Sequence, residues 1–418
     1  MRRLFLQLGL AACALSPTLT LGQALPATTG AVAAQRDDAG PLTLETALAL
    51  AAAGNFSLSA AAKEVDANEG AIMQSRVIPN PEIAAVMEDT RKATRTTTGQ
   101  VNIPLELGGK RSARIAAAER GRDVAQAQLS SLRADLRASV IAAFFGVLIA
   151  QERVKLATGS ADIAAKGAQA AARRVAAGKI SPVDETKARV EQANAELEVA
   201  EATAELQTAR QALATLWGNA SPQFTEAVGD LDALPTRPAP DLLRAELERS
   251  PALLANRLEL DRRQALVGVE RSRQYPDLTL SVGAKRDNEA NRNMAVLGVA
   301  IPLPLFDRNQ GNLYEAIRRA DKAQDEYLAS QIRLNNALQQ ASNQLSVSRA
   351  SAQALKTTVL PGAQQAYDAA TKGFEAGKFN FLDVLDAQRT LFQARIRYLG
   401  VLARTYEAAT NIDRILGR

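Results

Sequence analysis

The residues able to do chemistry are few, and the informative ones are acidic. Asp383 and Asp386 stand three apart in "GKFNFLDVLDAQ", residues 377–388. On a helix that spacing puts both carboxylates on one face. Such a pair can draw cations to an opening. Alternatively, Asp383 simply favours a helix N-terminus through the macrodipole. Both readings stay open. The matching positions 199 residues earlier (383 − 199 and 386 − 199) are Asp184 and Lys187, so only one acid recurs there.

Nothing completes a catalytic unit around these acids. The chain has no His, and its one Cys is Cys13. Imidazole or thiolate metal sites are therefore excluded from the body of the chain, as are Ser-His-Asp and Cys-His units. Carboxylate-only metal sites remain open. "GGKRSAR" (108–114) is not a phosphate loop, because the required first Gly falls at Pro104 and Arg111 replaces the Ser or Thr. It reads instead as a joint with Lys110, Arg111 and Arg114 on a wet surface. No enzyme and no cofactor are expected. Glu82, Glu88 and Asp89 lie in or beside a strand-like run, where they either attract cations or serve as ordinary solvated lining.

The elements that must position these residues follow from composition. Of 418 residues, 47% are hydrophobic but only 4% are aromatic, and Ala supplies much of the apolar share. Ala costs little entropy in a helix and permits close approach, which suits long packed helices. The formal charge is +5 with the two signs interspersed. No basic block with interleaved aromatics points to nucleic acid. Residues 1–24 read as a secretory signal, with Arg2 and Arg3 before a short apolar core and Gly22-Gln23-Ala24 as cleavage site. A competing reading takes Leu10-Ala11-Ala12-Cys13 as a lipoprotein box, with Cys13 lipidated. Residues 25–41 form an N-terminal extension.

The rest of the chain repeats itself. Ser75 and Ser272 open similar stretches, and Ile-Pro recurs at 103–104 and 301–302. "AGK" recurs at Gly178 and Gly377, and "LWG" and "ILG" end at Gly218 and Gly417. The offsets of 197, 198, 199 and 199 predict a tandem duplication, 42–218 and 241–418, joined by a Pro-rich linker, 219–240. Each copy predicts a helix (42–75, 240–274) and a strand pair (80–90 with 97–105, 276–286 with 293–303). A very long helix (108–177, 308–376) and a returning helix follow. "PDLTLSVGAK" alternates apolar and polar residues with period two. Pro104 and Pro302 are expected to bend the chain from strand to helix, and Pro361 to kink its helix. Val183, Val190, Leu197 and Ala204 keep a heptad in the first returning helix, and Leu385, Phe392, Leu399 and Tyr406 in the second, which predicts coiled-coil seams. Gly178 and Gly377 reverse the chain between the two helices, with Ser181 or Asn380 capping the return and Pro182 at its first position.

Four strands cannot close a barrel, for which eight is about the minimum. Three chains would supply twelve, and a closed barrel hides every backbone group from lipid. The duplicated plan, the tip "FEAGKFNFLDVLDAQ" and the junction "IPLELGGKR" resemble the outer membrane efflux family, whose type member is TolC. "VIPNPEIAAVMED" followed by "IPLELGGKRSAR" resembles the branch formed by outer-membrane factors of cobalt–zinc–cadmium efflux systems. The resemblance covers about residues 42–417. It implies a mainly α fold with a β-barrel portion. The barrel would be a trimeric outer-membrane barrel of four strands per chain, continuous with a long periplasmic coiled-coil tunnel. It implies a homotrimer in outer-membrane lipid, working with a periplasmic adaptor and an inner-membrane proton-driven pump, and passive conduction of divalent metal cations. Asp383, Asp386 and Asp184 would then ring the periplasmic entrance as a gate for cations. Gly178, Lys179, Ser181, Gly377, Lys378 and Asn380 would contact the adaptor. Phe374, Phe379 and Phe381 are either buried between hairpins or offered to the adaptor. A conduit for drugs, or a periplasmic coiled-coil adaptor, are the alternatives.

Overall fold

The computed structural model describes residues 39–418. The signal segment 1–24, Cys13 and all but the end of the 25–41 extension lie outside the described residues. The chain opens with β1 (Pro41–Thr43), α1 (Leu44–Gly54) and α2 (Phe56–Ser75), so the expected helix over 42–75 is two helices. Asn55 divides them. Its side chain accepts from the Leu58 amide at 3.0 Å, capping α2, and donates to the Leu216 carbonyl at 2.8 Å. Next come β2 (Glu82–Glu88), β3 (Thr96–Leu105), α3 (Lys110–Ala176) and α4 (Pro182–Thr215). At about 1.5 Å per residue, the 67 residues of α3 extend roughly 100 Å.

The second half follows the same order. β4 (Glu226–Val228) and α5 (Pro240–Leu247) lead into α6 (Pro251–Ser272), β5 (Leu278–Asp287) and β6 (Arg292–Ala300). Then come α7 (Gln310–Ala354), a π-helical turn (Leu355–Val359), α8 (Leu360–Glu375) and α9 (Phe381–Leu416). Ser250 caps α6, with Pro251 following, which again splits an expected single helix. The Pro361 effect is local. Proline removes one amide donor and crowds the preceding turn, and the helix widens into the π turn beside it rather than ending.

Three registers define the sheet. β2, β3, β5 and β6 form one antiparallel sheet in that order, with Val101 opposite Ile83 and Val282, and Val282 opposite Leu297. β6 stops at Ala300, short of the expected 303, where Pro302 interrupts the ladder. The helices line up in the same order as the strands. α2 and α4 both pack on α3; α3 packs on α6 and α9; these in turn pack on α7, and α9 also on α8. The row is therefore α2/α4, α3, α6/α9, α7/α8. Within a column the helices meet end to end. Gly417, at φ +82°, lies against Pro251, where a Cβ would come within 2.5 Å of the ring. Gly218, at φ +77°, meets Phe56 in the same way.

A belt that sequence patterning did not predict binds the middle. β1 and β4 pair in parallel, and the Gln151 side chain bonds both backbone groups of Ala227, at 2.8 and 3.0 Å. Phe144, Val147, Leu213 and Trp217 are buried with Leu42, Ala47 and Phe224 beneath this belt. Leu243 and Leu247 of α5 bury against Leu338, Leu345 and Ile412 in the second half. The 219–240 segment, read as a connector, is thus also packed structure. The Tyr406 hydroxyl faces the carbonyls of Asp230, Leu231 and Ala233 at 3.0–3.3 Å, and its ring stacks on Phe145 at 3.7 Å.

Asp232 anchors the same segment to Lys356 at 3.1 Å and to the Tyr398 hydroxyl at 3.0 Å. Lys356 and then Tyr398 hold its carboxyl below the ordinary carboxylate range. Burial, helped by that carboxylate, pushes the Tyr398 hydroxyl up to about 12, so it remains a donor. Because the folded pKa is depressed, the contribution is complete above the unfolded value of about 3.9 and is lost as pH falls through the folded value. Protection of the 230–234 amides, relative to their intrinsic exchange at each pH, is expected to fall on acidification below that range. Asp232→Asn should be less protected at neutral pH and show no further acid-dependent loss of protection. An unchanged difference between the two proteins at all pH values would refute the anchor.

Candidate functional site

Both hairpin tips are built from main-chain geometry. Gly178 and Gly377 adopt φ +66° and +71°, a region glycine enters without a Cβ penalty. Gly178 donates to the Val175 carbonyl at 2.9 Å and Lys179 to that of Arg174 at 2.8 Å. Gly377 donates to Phe374 at 3.0 Å and Lys378 to Gly373 at 2.8 Å. These are two Schellman closures, which satisfy the last carbonyls of a helix. Ser181 then caps α4, accepting from Val183 at 3.2 Å. Asn380 caps α9, and its amide donates to Asp383 Oδ2 at 2.9 Å in a capping box. Gly178, Lys179, Ser181, Gly377, Lys378 and Asn380 are all exposed.

The acids occupy the starts of the returning helices. Asp383 contributes one oxygen to the cap. Asp386 is exposed one turn deeper, and Asp184 is half-buried in the first turn of α4. Neither Asp184 nor Asp386 has an ion-pair partner among the described residues. Among those residues no group of three or more Asp, Glu, Cys or His is placed to hold a metal ion. What the acids can do is set the potential near a tip.

The structure brings the two tips of one chain together, which the sequence did not reveal. Phe374 lies against Ala168, Ala171 and Ala188, with Ile180 and Leu385 alongside. The Arg174 guanidinium sits 3.9 Å from its ring centroid, a favourable cation–π placement. Phe374 is therefore an inter-hairpin contact. Phe379 folds back over Gly373, where a Cβ would come within 2.6 Å of its ring, yet stays half-exposed. Above them a groove of about 550 Å³ separates the hairpins, lined by Arg153, Glu191, Glu198, Arg389 and Ile396 among others. Arg389 pairs with Glu191 across it, and Arg153 with Glu198 at 3.7 Å and Glu205. Only the knowledge that α9 lies beside the first hairpin could have singled out the Arg389–Glu191 pair.

One expected seam is corrected. Val183, Val190 and Leu197 do not face α3; they are 59%, 53% and 63% exposed. Small residues, Ala188 and Ala202, make the α4 contact instead, because a thin helix pair closes more tightly on Ala. Leu385, Phe392 and Leu399 of α9 are partly buried, and Tyr406 is buried.

The sheet is two-faced. Ile83, Val101, Val282 and Leu297 form one cross-strand row of an apolar face that is largely exposed. Glu82, Asn102 and Ser281 lie on the opposite face, as does Glu88, which pairs with Lys285 at 3.1 Å and accepts from Thr96 at 2.8 Å. Asp89, at φ +65°, shapes the turn by accepting from the Arg91 amide at 3.0 Å. No helix among the described residues is long and apolar enough to cross a membrane, which says nothing of the sheet.

The family model for "Outer membrane efflux protein" matches residues 47–219 and 242–418. The cobalt-zinc-cadmium resistance protein CzcC of Cupriavidus metallidurans is 76% identical over 418 residues, all of both chains. The nickel and cobalt resistance protein CnrC of the same organism is 33% identical over 73% of each chain. Among solved structures, CusC superposes with a TM-score of 0.77 at 18% identity, over 89% of this chain and 91% of that one. The outer membrane protein VceC of Vibrio cholerae gives 0.76 at 20%, over 90% and 96%.

Truncating the inter-hairpin ring should loosen the tips. Phe374→Ala is expected to raise proteolysis at 177–180 and 376–380 several-fold while leaving helix content unchanged. Equal cleavage of the variant and the wild type would refute the contact.

Proposed function

The chain belongs to the outer membrane efflux protein family, and we propose that it is the outer-membrane channel of a tripartite heavy-metal efflux system. It conducts divalent cations such as cobalt, zinc and cadmium out of the cell, passively and with no chemistry of its own. The observation that carries this is full-length 76% identity to a cobalt-zinc-cadmium resistance protein. Family membership sets aside the periplasmic-adaptor reading. The protein resides in the outer membrane with its helices in the periplasm.

The finer assembly is our reading, and the open edges support it. Residues 42–218 and 241–418 act as two copies of one unit, joined through 219–240. One end of the row leaves β2 and α2/α4 without a neighbour, and the other leaves β6 and α7/α8 without one. Two different open edges on each copy join head to tail and close as a ring. Three copies give twelve strands (3 × 4), with the apolar face to lipid and the Glu82–Asn102 face to the lumen. The exposed α4 residues fit this arrangement. Their counterparts in the second repeat, Arg389 (190 + 199) and Ile396 (197 + 199), line the groove between hairpins inside the chain. Val190 and Leu197 accordingly face the α7/α8 column of the next copy. Below the barrel the helices form a periplasmic tunnel. Its tips, Gly178–Ser181 and Gly377–Asn380, meet a periplasmic adaptor, which couples the channel to a proton-driven inner-membrane pump.

At the tunnel mouth, Asp383, Asp386 and Asp184 recur three times each and favour cations over anions. Asp383→Ala with Asp386→Ala is expected to lower cation preference in single-channel recordings; unchanged selectivity and cation block would remove them from the pore. For the function itself, cells lacking the gene but retaining its pump should accumulate zinc, cobalt and cadmium. Equal metal content with and without the gene would refute metal efflux.

A further inference from the structure

Gly298 stands in the middle of β6 with no local reason to be glycine. A Cβ there would meet nothing closer than Ser281 Cβ at 3.4 Å, an ordinary contact. Glycine inside a strand weakens it, and often marks where another backbone or ligand approaches closely. Here β6 is an edge strand, so the approach comes from outside the chain.

The chain holds a template for that approach. Where the two repeats meet, β3 pairs with β5, and Gln100 lies opposite Gly283. That glycine is obligatory: a Cβ would collide with the Gly99 carbonyl and lie 2.7 Å from Gln100 Cβ. The repeat offsets carry this contact to the open edges. β3 maps to β6 at 198, the Ile-Pro offset, and β5 maps to β2 at 197, the Ser75–Ser272 offset. Gln100 becomes Gly298 (100 + 198), and Gly283 becomes Val86 (283 − 197). The pair again holds one glycine, on the other strand.

A second pair exchanges sizes under the same offsets. Gly108 accommodates Tyr275, whose Cβ would lie 2.6 Å from a Cβ at 108. The counterparts are Phe306 (108 + 198) and Ile78 (275 − 197), and they are 90% and 65% exposed in the single chain. Small against large inside the chain becomes large against medium at its edges.

We propose that β6 of one copy pairs antiparallel with β2 of the next in a single register, Gly298 opposite Val86 and Leu297 opposite Met87, with Phe306 seated over Ile78. This rests on the ring reading and specifies its seam. The register keeps faces consistent. Leu297, from Gly99 (99 + 198), and Met87, from Ala284 (284 − 197), are opposed, as Gly99 and Ala284 are. Both sit on the apolar face, 80% and 62% exposed. A one-residue slip would turn one strand's apolar side to the lumen. A two-residue slip would keep the faces but put Gly298 opposite Ala84 or Glu88, where the size exchange is lost. The swap also discriminates between partners. A β6 edge meeting a β5-like strand would set glycine against glycine.

Opposed residues on paired strands have Cα atoms about 4.5–5.5 Å apart, within disulfide range. The test uses the full chain in outer membranes under mild oxidation, with three double variants. Met87→Cys with Leu297→Cys should give covalent dimers and trimers on non-reducing gels. Ala85→Cys with Leu297→Cys and Asp89→Cys with Leu297→Cys should not, and neither should any single variant. Cross-linking by either slipped pair in place of the first would overturn the register. So would a fast-migrating intramolecular product, or no cross-link in a protein that native mass spectrometry shows to be trimeric. A monomer by native mass would instead sink the ring reading, and this seam with it. Gly298→Val is expected to abolish trimers while leaving monomer helix content intact, and adding Val86→Gly should restore them. Trimers of Gly298→Val equal to wild type would also overturn the proposal.

Discussion

Every backbone amide and carbonyl removed from water must find a partner, and this requirement shapes the molecule from the strands downward. The four-stranded sheet presents an apolar face along Ile83, Val101, Val282 and Leu297. Burying that face in lipid would strand the unpaired groups of β2 and β6 at a cost of several kcal/mol each. The sheet therefore suits a membrane only when its edges are joined to something. Because the helical columns stand in the same order as the strands, any closure of the sheet also closes the helical row beneath it.

The helical row answers a different problem, that of extending roughly 100 Å with thin elements. α3 runs uninterrupted, while the flanking columns are assembled from two helices each, meeting at glycines in the left-handed region. Gly218 meets Phe56, and Gly417 meets Pro251. At those junctions the large side chains gather. Trp217, Phe144 and Leu213 are buried at one, and Ile412, Leu243 and Leu247 near the other. Elsewhere the contacts are mostly alanine, Ala168, Ala171 and Ala188 among them. The stability of the row is thus concentrated in the belt, where Tyr406 and Asp232 tie down the connecting segment.

Much of this was legible in the sequence because it is local or repeated. The hairpin strands, the long helices and the reversals at Gly178 and Gly377 follow from periodicity and offset. The splits at Asn55 and Ser250 were missed because apolar spacing runs across them while the cap decides the break. The β1–β4 pair was missed because three-residue strands leave no period to read. The acids of the site were visible as residue types, but the Arg389–Glu191 and Arg174–Phe374 contacts were not. They depend on which helices become neighbours across some two hundred positions. The heptad of Val183, Val190 and Leu197 predicts a coiled-coil seam, but within the chain these residues are exposed and Ala188 and Ala202 are buried in their place. A period marks an apolar face, not what packs on it.

The closures at 178 and 377 are made by main-chain atoms, with Ser181 capping one returning helix and Asn380 with Asp383 the other, so the side chains of Lys179 and Lys378 carry no folding duty. Selection can rewrite those positions without melting the turn that displays them. In the proposed assembly, recognition and stability are thereby uncoupled at the tips, and a lineage could exchange one docking partner for another while its scaffold stays unchanged.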